Sequence, residues 1–63
     1  MNIPSSGEII KKLIKNGWEL DRINGSHHIF WHPQKSGTVT VPHPRKDLPA
    51  GTVAGIKRQA GLK

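Results

Sequence analysis

The chain is 63 residues long, sets ten Lys and Arg against four Asp and Glu for a net charge of +6, and contains no cysteine. That length allows one domain, residues 1–63, and folding removes only about 60% of the unfolded chain's surface from water. Without thiols there is no disulfide staple and no thiolate metal site, so packing or assembly must supply the stability.

Met1-Asn2-Ile3-Pro4-Ser5 lacks the basic start and apolar stretch of a secretory signal, and no window reaches membrane-spanning length. The expected compartment is the reducing cytoplasm.

Ser5 and Glu8 stand three apart, just before an apolar pattern begins, which is a capping-box signal. The helix it opens carries Ile9, Ile10, Leu13 and Ile14 as one stripe, with Lys11, Lys12 and Lys15 on other faces. Asn16-Gly17 is its left-handed stop.

Trp18 and Leu20 then alternate with Glu19 and Asp21 at the period of a half-buried strand. Asn24-Gly25 is a tight-turn dipeptide, which makes Ser26 to His32 the return strand of a hairpin. Pro33 to Gly37 reads as a loop, and Thr38-Val39-Thr40-Val41 alternates as a third strand. Pro42 and Pro44 have no N–H to donate, so the ladder is expected to end at Val41. His43, before a proline, is held extended.

The last segment, from about Leu48-Pro49 to Ala60, places Val53, Ile56 and Ala60 on one helical face, with Gly61 just past the end. Gly51 and Gly55 weaken this helix by about 1 kcal/mol each relative to alanine, so packing must hold it.

The elements predict an α+β fold, α-β-β-β-α, with a three-stranded antiparallel sheet and both helices on one face. The other face is left to water or a partner. Trp18, Leu20, Val39 and Val41 are the natural core contributors. If Phe30 joins them, His28 and His32 point the same way, and His27, Ile29 and Trp31 occupy the open face. There Trp31 and Ile29 can stack a base or dock an apolar partner. A bulge near the turn would reverse the assignment and make Trp31 core.

Chemistry concentrates around Gly25-Ser26-His27-His28, because imidazole, with an unperturbed pKa of about 6.5, exchanges protons near neutral pH. A zinc site built from His27, His28 and His32 is disfavoured, since adjacent strand residues point apart and positions four apart lie about 13 Å from each other. The basic excess is spread along the chain, through Lys11, Lys12 and Lys15, Arg45 and Lys46, and Lys57, Arg58 and Lys63. Such a field attracts polyanions, RNA or DNA above all, and an acidic protein as well.

With Gly17-Trp18, Gly25-Ser26-His27-His28, Phe30, His32-Pro33, Thr38 through Pro44, Asp47 through Thr52, Ile56 and Ala60-Gly61-Leu62 in order, the chain resembles the HicA-type toxins. These are the small ribonuclease halves of bacterial or archaeal toxin–antitoxin pairs. The resemblance covers nearly everything from about residue 6 onward.

It implies a fold like a double-stranded-RNA-binding domain, cofactor-free and metal-independent cleavage of mRNA, and inhibition by a HicB-like antitoxin. It also implies that His27, the first histidine after Gly-Ser, is catalytic.

In such a reaction the RNA's own 2′-hydroxyl can be the nucleophile, and His27 would act as general base or acid. Lys and Arg, with the turn N–H groups of Gly25 and Ser26, would stabilise the transition-state charge. His28 and His32 read as structural, and His43 as structural or as a second candidate for the acid. The alternative is a non-catalytic RNA-binding module of the same fold, which needs no His27.

Overall fold

The computed structural model describes residues 5–62. The reading of Met1 to Pro4 and the charge of Lys63 lie outside the described residues. The elements are α1 (Ser6–Lys15), β1 (Glu19–Asn24), β2 (His27–Trp31), β3 (Thr38–Pro42) and α2 (Ala50–Ala60). The strands form one antiparallel sheet in the order β1-β2-β3. Among the described residues no helix is long and apolar enough to cross a membrane.

Local chemistry accounts for the element ends. Ser5 caps α1, its hydroxyl accepting from the Glu8 N–H at 3.3 Å. At the other end Gly17 takes φ 93°, and the Gly17 and Trp18 N–H groups turn back to the carbonyls of Ile14 and Leu13. That pairing satisfies two carbonyls the helix leaves open, and it delivers Trp18 into the core beside Leu13. Helix α2 closes the same way, with Gly61 at φ 72° and Leu62 bonded to Lys57.

The hairpin loop is Gly25-Ser26, closed by Asn24 opposite His27. Only Gly25 has a positive φ, 62°. This is the type II′ pattern, with glycine at the first loop position, and it matches the twist of the flanking strands.

Two strand ends differ from expectation. β2 starts at His27 and stops at Trp31, one residue inside each expected end, and β3 continues to Pro42, opposite His27. The next rung explains the proline: the His43 N–H donates to Ser26 O at 2.7 Å. Bonded and non-bonded pairs alternate in an antiparallel ladder, so His27/Pro42 is a non-bonded pair and the missing proline N–H is not needed there.

One core joins the helices to the sheet through Ile9, Leu13, Trp18, Phe30, Val39, Val41, Leu48, Val53, Ile56 and Ala60. Phe30 stands opposite Val39 and His28 opposite Val41, so this is the face that both helices cover. The helices pack against β3, the far edge from β1.

Two core expectations are overturned, the first by that offset. Leu20, opposite Phe30 and on the covered side by register, is 48% exposed because neither helix reaches over β1. Ile14 turns away from the stripe of Ile9 and Leu13 and is 57% exposed.

Candidate functional site

The uncovered face of the sheet is a grid of three rungs. His27 lies between Asn24 and Pro42, Ile29 between Arg22 and Thr40, and Trp31 between Glu19 and Thr38. A register shift between Leu20 and Arg22 keeps β1 in step across a bulge at Asp21, and it leaves the faces of β2 unchanged.

Trp31 is 41% exposed on this face, as expected of an open surface. Ile29 is not: although it points the same way, it is 9% exposed, because a residue in the middle of the middle strand is hemmed in by neighbours on every side.

The four histidines separate sharply by environment. His32 accepts from the Gln34 N–H through Nδ1 at 3.0 Å, so its Nε2 is the donor to Asn16 O at 3.1 Å. Its ring also packs edge-on against Trp18, with centroids 5.2 Å apart. His43 lies 2.6 Å from the hydroxyl of buried Ser6 through Nδ1 and stands edge-on to His28 at 4.7 Å. Its ring faces α1, so His43 ties down the chain after β3 and is on the wrong side of the sheet to act as an acid beside His27. The His28 Nδ1 is buried without a partner among the described residues.

His27 is the exception. It is exposed, it opens β2 directly after the tight turn, and its ring makes no hydrogen bond among the described residues. No group of three His, Asp or Glu side chains placed to hold a metal ion occurs among the described residues.

The basic residues fall into two groups. Arg45 and Lys46 are exposed and follow directly on the His43–Ser26 rung, at the end of the sheet that carries His27, Gly25 and Ser26. The N-terminus of α1 is bound there too, through the Ser6 N–H to Arg45 O at 2.9 Å.

Lys11, Lys12, Lys15, Lys57 and Arg58 belong to the helices, on the opposite face from His27. Lys12 shares a cleft with Asn16, Gly61 and Leu62, where the two helices end. Arg22, beside Ile29 on the open face, was missed by reading the strand as simple alternation. The bulge at Asp21 puts it there, ion-paired to Asp21 at 2.6 Å.

The fold and this surface define a small basic α+β domain with one free histidine at a hairpin turn. The family model described as the HicA toxin of bacterial toxin–antitoxin systems matches residues 6–62, and the chain belongs to that family. A solved structure titled "HicA3 and HicB3 toxin-antitoxin complex" is similar at a TM-score of 0.83 and 34% identity, over 95% of this chain and 97% of that one. A comparison with curated proteins gave no match. The expected α-β-β-β-α fold and the resemblance both stand on these findings.

Proposed function

We propose that this member of the HicA toxin family is a metal-independent endoribonuclease acting on mRNA, with His27 as its general acid or base. A HicB-like antitoxin silences it by covering the open face around that residue. The observation that carries the reading is the contrast among the histidines: His28, His32 and His43 are packed or bonded, whereas His27 projects unbonded from the turn.

In this reaction a 2′-hydroxyl attacks the adjacent phosphorus and the 5′-oxygen departs. An imidazole supplies one of the two proton transfers, typically for about 10²–10⁴-fold in rate. Arg45, Lys46 and the N–H groups of Gly25 and Ser26 lie at the same end of the sheet, where they can meet the charge building on the phosphoryl oxygens. The cations of α1 and α2 serve instead to draw and hold the polyanion from the far side, an effect that weakens with salt.

The test is RNA integrity on a gel with purified chain and with His27→Ala. Cleavage by the first and not the second is expected. Intact RNA in both lanes, with the RNA bound, means a binding module and overturns the enzyme reading. Retained cleavage in a saturated antitoxin complex overturns the silencing.

A further inference from the structure

We propose that Trp31 and Glu19 form a base-reading subsite for single-stranded RNA, with guanine as the preferred base, displaced along β2 from the bond cleaved at His27. The inference rests on the reading of His27 as the ribonuclease residue and adds to it what the enzyme selects.

The last rung of the open face sets an exposed indole between a carboxylate and a hydroxyl, Glu19 and Thr38, all pointing off the same side of the sheet. Directly opposed side chains on such a rung stand about 4.5–5.5 Å apart at Cβ, so the three groups form one surface. An aromatic ring facing solvent is a stacking platform for any base.

Glu19 decides what lies on that platform. In a chain of net charge +6 it is one of four acidic residues, and among the described residues it makes no ion pair. Its charge repels a phosphate from this rung while accepting hydrogen bonds from a base edge.

Guanine fits best, because its N1–H and N2–H₂ lie side by side and can meet both carboxylate oxygens. Cytosine and adenine offer an amine alone. Uracil offers one N–H flanked by two carbonyl oxygens that repel the carboxylate.

One rung nearer to His27, Arg22 keeps N–H donors beyond the one it spends on Asp21 and can take a phosphate. The order along the middle strand is therefore proton transfer, phosphate, base. His27 and Trp31 are four residues apart on one strand, about 13 Å, so the guanine read is not the nucleotide at the broken bond. A base in a duplex is already stacked and cannot lie on Trp31, which restricts the substrate to single strands.

The experiment titrates the 63-residue chain carrying His27→Ala with oligouridylates in which a single guanine is walked along the strand, following tryptophan fluorescence and RNA anisotropy. One guanine position is expected to bind about 10- to 100-fold more tightly than uridine alone. Trp31→Ala should weaken binding roughly 5- to 150-fold, with Trp31→Phe restoring most of it. Glu19→Gln should remove the guanine preference.

Equal binding of all the oligonucleotides overturns the proposal, as does a guanine preference untouched by Trp31→Ala and Glu19→Gln. A Trp31→Ala variant that loses the antitoxin but not the RNA assigns the rung to a protein and also overturns it. Guanine discrimination without cleavage by the unmutated chain refutes the nuclease reading and leaves the subsite standing. Cleavage without discrimination does the reverse.

Discussion

The hydroxyl of Ser6 and the ring of His43, 37 residues apart, meet at 2.6 Å and fasten the start of α1 to the segment leaving β3. The same oxygen accepts from the Arg45 N–H at 2.8 Å, and the Ser6 N–H returns a bond to Arg45 O. Because the His43 N–H holds Ser26 O, this buried serine braces the turn that presents His27.

Ser6→Ala is therefore expected to destabilise the fold by about 1–3 kcal/mol, since it strands partners at a buried site. For so small a domain each kcal/mol lowers the melting temperature by about 4–8 °C. Thermal denaturation followed by circular dichroism measures it. A change of under about 0.5 kcal/mol would show that the contact braces nothing.

Gly17 and Gly51 should respond oppositely to alanine. At Gly17 the backbone is left-handed at φ 93°, and a Cβ would stand 2.7 Å from His32 Nε2. Strain of about 1–2 kcal/mol is joined there by the disturbance of a bonded histidine. Gly51 is in helix α2, and a Cβ there meets nothing within 4 Å. Gly51→Ala should thus stabilise by about 0.4–1 kcal/mol, mainly by restricting the unfolded chain. Urea denaturation of the two variants reads the opposite signs.

A histidine scan should separate stability from activity. His27→Ala removes an exposed ring with no hydrogen bond, so stability should move by no more than about 0.5 kcal/mol while RNA cleavage falls by about 10²–10⁴-fold. His32→Ala removes the ring that bonds Asn16 and Gln34 and packs on Trp18, and should destabilise by about 1–3 kcal/mol. Paired cleavage and melting measurements check this. A cleavage loss in His27→Ala that merely tracked unfolding would contradict it.

What was legible in the sequence was local. Ser5 with Glu8, Gly17, Gly25 and Gly61 each carry their structural reason within a few residues, so helix ends and hairpin could be read directly. The alternation of Thr38 to Val41 and the free position of His27 after the turn follow from the same short-range rules. The partner of His43 lies 37 residues away, and no periodicity points to it. Which lysines share a face with His27 depends on the side of the sheet the helices take. The placement of Arg22 depends on a one-residue bulge that no residue type announces.

Leu20 and Phe30 show most sharply where alternation stops being informative, since they are directly opposite, on the same side of the sheet, and differ in exposure by 48% against 1%. Register decides which way a side chain points; only the helices decide whether anything lies over it, and these pack on β3. Phe30→Ala should cost about 3–5 kcal/mol, comparable with the whole stability of a 63-residue domain at roughly 3–9 kcal/mol, and leave little folded protein. Leu20→Ala should cost clearly less, about 1 kcal/mol, because about half of what it removes is already in water. Near-equal losses in melting temperature for the two would mean that β1 is covered in solution, by α1 or by a second chain, and that its exposed apolar row is an interface.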